Sequence, residues 1–420
     1  MPLALFHLAL LLFWAPYTAA APSNNIQKRS FKLDRIRNPN FQRHGPRQLL
    51  NAYQKYRMPI PQDLLNALET GDEDATSDHR PASASSFRLT EASGSSTGRV
   101  PATPANGGIE YVSPIEIGGQ TVHVAIDSGS ADLWVFSTLL PPFARAGHQV
   151  YDPARSASSR VLPNANFSIY YGDGTSASGV VVLDTVNVGG AYVRNQAVQM
   201  ANWVSATFVQ DKSLSGLLGL AFSKLNTVKP VRQATFFENV MPFLAQPLFT
   251  ADLPHDAVGA FEFGYIDTNK FVGPLTWVQA DTAMGFWQVS TSFFRVGDVE
   301  TQHAPGQAII DTGTTLMLVS QELVDGYYQH VPDAHRSPVY GGIVFPCNTT
   351  LPDLWLDVGG VHMARVRGSD INFGPLKDGL CYGGLQRTTS PLQIWGDIFF
   401  RSQFVVFHGG NHSLGLAPRA

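Results

Sequence analysis

Two aspartates stand out by their company. Asp127 lies in AIDSGSADLWVF (Ala125 to Phe136), and Asp311 lies in AIIDTGTTLMLV (Ala308 to Val319), 184 residues later. A lone aspartate at a strand end is usually a turn former or a helix N-cap. The flanking residues argue for more. Gly129 and Gly313 let backbone come close to a carboxylate. Ser128, Ser130, Thr312 and Thr314 supply hydroxyls that can donate to one, which favours its ionised form. If the two loops face each other, the carboxylates cannot both ionise easily, and the pair holds one proton over an acidic range. Such a pair offers a base to activate water and an acid to protonate a carbonyl oxygen or a leaving amine. That chemistry calls for neither metal nor cofactor.

The elements that would position these residues are short strands. TVHVAI before Asp127 alternates and then turns apolar, as a strand entering a core does, and QAII before Asp311 does the same. Each half has a downstream partner of two apolar residues and a glycine: GLLGLAF (Gly216 to Phe222) and IWGDIFF (Ile394 to Phe400). Gly219 follows Asp127 by 92 residues and Gly396 follows Asp311 by 85, which supports an internal duplication. Asn166 to Asp184, NFSIYYGDGTSASGVVVLD, reads as two strands joined by a Gly-rich turn. With 38 Gly, 28 Pro and 15% charged residues, the 420-residue chain favours strands and turns over long helices.

The ends point to export. MPLALFHLALLLFWAPYTAA has the length and apolarity of a secretory signal, residues 1–20, with cleavage expected after Ala19, Ala20 or Ala21. No 18-residue apolar run lies beyond it, and NHSLGLAPRA at the C-terminus lacks a lipid-anchor tail, so no membrane anchor is expected. Export permits a bridge between the two cysteines, Cys347 and Cys381, closing 34 residues for about 3–4 kcal/mol in the chain-entropy model. Two thiols without a histidine cluster make a poor zinc site. Asn166, Asn348 and Asn411 head sequons and are candidate glycan sites.

Charge is uneven. From Ala21 to Ile60 nine Lys/Arg face one acid, whereas from residue 101 onward 17 Lys/Arg face 25 Asp/Glu. Between them, Glu69 to Arg99 is polar and rich in Ser, Ala and Gly, as an exposed linker is. A basic arm often binds nucleic acid or membranes. Export disfavours nucleic acid, and Leu49, Leu50, Tyr53 and Tyr56 suit docking. A removable segment covering an acidic cleft accounts for both halves of the charge pattern.

Together these motifs resemble the pepsin-like aspartic endopeptidases, most closely the secreted fungal branch of penicillopepsin and aspergillopepsin type. The resemblance runs from about Phe31 to the C-terminus. It implies an all-β, bilobal fold, two duplicated β-rich lobes with a cleft between them for extended polypeptide substrates and pepstatin-like inhibitors. The implied division is signal peptide 1–20, propeptide and linker 21–98, N-terminal lobe 99–278 and C-terminal lobe 279–420. Asp127 and Asp311 would be the catalytic pair. Ser128 and Thr312 would form an interlocking hydroxyl pair beneath it, with Ser130 and Thr314 beside the carboxylates. DSG replaces the usual fungal DTG in the first motif, which keeps the hydroxyl.

The resemblance makes Asn166 to Asp184 a flap, with Tyr171 at its active position, Gly172 and Asp173 at its tip, and Trp134 bonding to the tyrosine. Phe208 and Leu217 would line the pocket for the residue before the cut bond, giving a preference for large apolar residues on both sides. Asp173, helped by Thr175, would also admit lysine there. Lys55 and Tyr56 match the pair that blocks the aspartates in zymogens. The mature chain would start between about Ala92 and Pro101, with Lys28-Arg29 a separate processing site. A monomeric enzyme, extracellular rather than vacuolar, is expected. Two other classes stay open on sequence: a glycosidase with paired carboxylates, and a non-catalytic binding protein of the same fold.

Overall fold

The structure is a computed structural model that describes residues 30–35, 44–71, 97–100, 104–105, 110–170, 175–255 and 257–420. The expected signal segment 1–20, Lys28-Arg29 and the expected flap residues Tyr171, Gly172 and Asp173 lie outside the described residues. The remainder is built mostly of strands, and the fold is the expected all-β, bilobal one. The longest described helices, Gly45–Lys55 and Gln62–Gly71, both belong to the N-terminal segment. No described helix is long and apolar enough to cross a membrane.

Each half carries its own sheet, and the two share a local plan. In the first half, strand Gln120–Asp127 pairs in parallel with Gly216–Gly219, which runs antiparallel to Leu133–Phe136. In the second, Val299–Ile310 pairs in parallel with Leu392–Trp395, which runs antiparallel to Met317–Val319. Both crossovers are thus a strand ending at an aspartate, a tight loop, and a third strand slotted between. The register sets Gly219 opposite Asp127 and Trp395 opposite Ile310.

The paired glycines have a steric cause. A Cβ on Gly219 would lie 2.5 Å from the Ser130 carbonyl oxygen and 2.7 Å from Ala131 Cα. A Cβ on Gly396 would lie 2.5 Å from the Leu316 carbonyl oxygen and closer still to that of Thr314. Real Cβ atoms do not sit so near backbone, so each loop can cross its partner strand only over glycine.

A third sheet joins the halves. Its order is Thr276–Gln279, Ser413–Pro418, Gln403–His408, Leu248–Asp252, Gly259–Phe263, Ser30–Arg35 and Thr97–Val100. The expected lobe boundary at 278/279 therefore falls within its first strand, and that at 98/99 within its last. The strand Ser30–Arg35 comes from the segment expected to be removable, and it pairs antiparallel with Gly259–Phe263. Trp287 adds a side-chain tie, donating its indole N–H to the Leu220 carbonyl at 3.1 Å. The C-terminus is held as firmly: buried Asp252 accepts from Arg419 Nε at 2.9 Å and pairs with Lys270 at 3.0 Å.

A fourth, small sheet holds His335–Ser337, Gly342–Pro346, Leu380–Gly383 and Asn372–Pro375. There Cys347 and Cys381 are joined, with Cα atoms 4.9 Å apart. The expected bridge is present.

Candidate active site

The strand-loop crossovers bring Asp127 and Asp311 together at the junction of the halves. Each carboxylate is held by its own loop. Asp127 Oδ1 accepts from Gly129 N at 2.8 Å, and Oδ2 from Ser130 Oγ at 2.6 Å. Asp311 Oδ1 accepts from Gly313 N at 2.9 Å, and its Oδ2 accepts from Thr314 Oγ1. Gly129 and Gly313 are also needed for space. A Cβ on Gly129 would press on the Asp311 carboxylate, and one on Gly313 on that of Asp127.

Beneath the carboxylates the loops interlock. Ser128 N donates to Thr312 Oγ1 at 3.0 Å, and Thr312 N donates to Ser128 Oγ at 2.9 Å. Each hydroxyl then donates to the carbonyl preceding the other aspartate, Ser128 to Ile310 and Thr312 to Ile126, both at 2.9 Å. The four bonds are buried and reciprocal, so neither loop can move without the other.

A single ammonium spans the pair. Lys55 Nζ lies 2.8 Å from Asp127 Oδ1 and 2.8 Å from Asp311 Oδ2. Tyr56 donates its hydroxyl to Asp311 Oδ2 at 2.7 Å, and its ring rests 5.8 Å from that of Phe286. Burial pushes Asp127 up to about 6 against the pull of Lys55, with Asp311 pushing the same way. Burial also drives Asp311 upward, but Lys55, Asp127 and Thr314 outweigh it and hold it at about 2. The dyad as a unit therefore keeps one proton between those limits. Burial alone would strip Lys55 of its charge, but the two carboxylates keep its pKa above the ordinary lysine value.

The rest of the expected site is distributed around this centre. Arg160–Tyr170 and Ser176–Val188 form the expected hairpin, with Tyr170 opposite Ser176, and Thr175 is buried at its mouth. Trp134 is fully buried and meets the Phe208 ring edge-on at 4.9 Å, while Leu217 is its cross-strand neighbour. Asn166, Asn348 and Asn411 are all exposed. Ser413 of the last sequon donates to Asn411 Oδ1 at 2.7 Å.

Other site residues escaped the sequence reading. Asp132, just past the first loop, is buried, and its Oδ1 accepts from Gln199 at 2.5 Å, Asn226 at 3.1 Å, and the N–H and hydroxyl of Thr227 at 3.0 and 3.1 Å. The signal was available: the second loop has Leu316 at the equivalent place. Helix Gly45–Lys55 was also unforeseen. Its apolar face seats Leu49, Ala52 and Tyr53 in the main core, and Tyr53 donates its hydroxyl to the Arg387 carbonyl at 2.5 Å. Beyond it, Thr389 donates to the Pro59 carbonyl at 2.6 Å, Leu64 is buried, and Asp63 meets Arg336. The basic arm thus docks mainly through apolar faces. Among the described residues Lys55 carries the charge contact to the dyad, and the Asp63–Arg336 pair has the opposite polarity.

Comparison with known proteins agrees with this geometry. A family model described as eukaryotic aspartyl protease matches residues 110–419. The chain is 41% identical to aspartic protease PEP3 of Coccidioides posadasii over 98% of this chain and 94% of that one. It is 46% identical to aspergillopepsin-1 of Aspergillus clavatus over 77% of this chain and 82% of that one. It is 39% identical to penicillopepsin-3 of Penicillium janthinellum over 96% and 95%.

Proposed function

The chain belongs to the eukaryotic aspartyl protease family, and from that premise we propose that it is an exported acid endopeptidase made as a self-blocked precursor. As a member it hydrolyses peptide bonds. In the proposed mechanism Asp127 and Asp311 are the catalytic pair. The ionised carboxylate takes a proton from water as the water oxygen attacks the peptide carbon, and the protonated one gives its proton to the carbonyl oxygen. When the tetrahedral adduct collapses, the C–N bond breaks, the nitrogen takes the dyad's proton, and one hydroxyl of the adduct gives its proton to the other carboxylate, so the dyad again holds one. The hydroxyls of Ser130 and Thr314, with the N–H groups of Gly129 and Gly313, orient the carboxylates throughout.

The observation that carries the precursor reading is the Lys55 ammonium shared between both carboxylates. Lys55 pulls the proton affinity of each carboxylate down while burial pushes it up, and the balance leaves Asp311 low, at about 2, and Asp127 high, at about 6. By linkage, the contribution through Asp311 is present above the ordinary carboxylate range and is lost as pH falls towards about 2, whereas the raised Asp127 contributes in the opposite sense. Arg336 hydrogen bonding likewise holds Asp63 below its usual range, and that contribution also fades with acidification. Release in acid then frees the dyad.

The signal at 1–20 and the charge pattern support export, and the three exposed sequon asparagines suit glycans. We assign 21–98 to the removable segment and linker, 99–278 and 279–420 to the two lobes, and a monomeric state. The Trp134, Phe208 and Leu217 cluster favours large apolar residues around the cut bond. Asp173 and Thr175 favour lysine before it. Comparing peptides with Lys or Phe there, with and without Asp173→Ala, checks this: the Lys/Phe ratio should drop, and an unchanged ratio refutes the lysine role.

Incubating the precursor near pH 4 and sequencing its new N-terminus tests the whole reading. A start between about Ala92 and Pro101, with pepstatin-sensitive proteolysis at pH 3–5, is expected. Sugar hydrolysis, or peptide binding without cleavage, would count against it.

A further inference from the structure

Asp63 and Arg336 form a forked ion pair between the N-terminal segment and the second half. Arg336 Nε and Nη2 donate to Asp63 Oδ2 and Oδ1 at 2.7 and 2.8 Å. Both side chains are about one-third exposed. Asp63 is the carboxylate that Arg336 pairs with here, so departure of the segment leaves the fork without its acid. Arg387 stands beside it. The two arginines line a cavity of about 310 Å³ together with His335 and Asp325. Asp325, the acid of that cavity, accepts from Gln321 Nε2 at 2.6 Å. No carboxylate is bonded to Arg387 among the described residues. Two guanidiniums and an imidazole therefore face one engaged carboxylate.

The pair lies along the track of the segment that blocks the cleft. From Lys55 and Tyr56 at the dyad, five non-helical residues, Arg57 to Pro61, run to helix Gln62–Gly71. On the way Thr388 and Thr389 hold Met58 Sδ at 3.3 Å and the Pro59 carbonyl at 2.6 Å. Asp63 is eight positions beyond Lys55, so the path from the dyad to Arg336 is no longer than a peptide of roughly eight extended residues, at about 3.3 Å each.

We propose that Arg336, flanked by Arg387, is a subsite of the mature enzyme for an acidic side chain of the polypeptide substrate, several residues from the cut bond. Asp63 occupies it in the precursor as an internal stand-in. This rests on the endopeptidase reading above. A planar guanidinium takes a carboxylate through two parallel bonds, which amide isosteres and lysine cannot reproduce. The gain is modest because the site is partly solvated: roughly three- to tenfold in kcat/KM. It requires an ionised acid, so for aspartate it should fade below about pH 4.

The test uses acid-processed enzyme and a neutral parent peptide carrying one good cleavage site. Aspartate or asparagine is walked through positions four to eight residues from that bond, on both sides. At pH 5.5 one or two adjacent positions should show the aspartate advantage, chiefly in KM, and it should shrink at pH 3. In Arg336→Gln the Asp/Asn ratio at those positions should fall to about one, and Arg336→Lys should give an intermediate ratio. Equal Asp and Asn peptides at every position, or an advantage that survives Arg336→Gln, overturns the proposal and leaves the pair as part of the precursor's latch alone. Failure of the endopeptidase reading looks different: the neutral parent is then not cut, or its cutting ignores pepstatin.

Discussion

At the residue scale, the chemistry turns on how hydroxyls and amides divide the work of holding two carboxylates. Thr314 bonds Asp311 and lowers its proton affinity. Thr314→Val removes that donor at nearly constant volume, so the carboxyl should bind its proton more tightly. The acid limb of the pH profile of kcat/KM should move up by roughly half to one unit. An unmoved limb would show that the hydroxyl only fills space. Asp311→Asn should lower kcat at least about a thousandfold, by removing either the base or the acid. Retained digestion would end the two-carboxylate account. These residues were legible because their signals are local: an acid, a glycine and a hydroxyl within four positions, occurring twice. Asp63 and Arg336 were not, since they meet across 273 residues and neither neighbourhood announces the other.

At the element scale, the two glycine crossings are the fixed points. Gly219→Ala and Gly396→Ala would drive a methyl into the backbone of the opposing loop. Each should cost about 1–3 kcal/mol and depress activity more than its stability loss alone explains, because the displaced loop carries an aspartate. Melting temperatures alongside kcat separate the two effects, and a variant with wild-type values for both would refute the steric argument. The disulfide belongs to the same scale. Cys347→Ser with Cys381→Ser should lower unfolding free energy by about 3–4 kcal/mol, measured by denaturant titration. Strand pairs were readable from alternation and from the repeated apolar-Gly partner. Helix Gly45–Lys55 was not, because its one-sided face, Leu49, Ala52 and Tyr53, covers barely one helical repeat and suits a docked irregular segment as well. Its start signals, a His44 cap accepting from Arg47 N and Pro46 in the first turn, are weak ones.

At the scale of the whole molecule, the proposed acid control rests on one cation buried against two acids. Lys55→Gln should leave the precursor poorly latched. It should bind pepstatin at pH 6–7, where the wild-type chain should not, and should process itself at a higher pH. Equal pepstatin binding by the two precursors across that range would show that apolar docking alone does the blocking. The apolar contribution is large, since Leu49, Tyr53 and Leu64 are part of the main core. The interlobe sheet was invisible in the sequence, for its strands come from four separate stretches whose pairing no local pattern encodes.

The reciprocal bonds of Ser128 and Thr312 are what two identical subunits make across a twofold axis, each giving what it receives. The protein is in that sense a dimer sewn into one thread. Sewing releases the halves from having to match: one carries the long hairpin of Arg160–Tyr170 and Ser176–Val188, the other the cystine and the seat for the N-terminal helices. Only the knot at the axis still has to be the same on both sides.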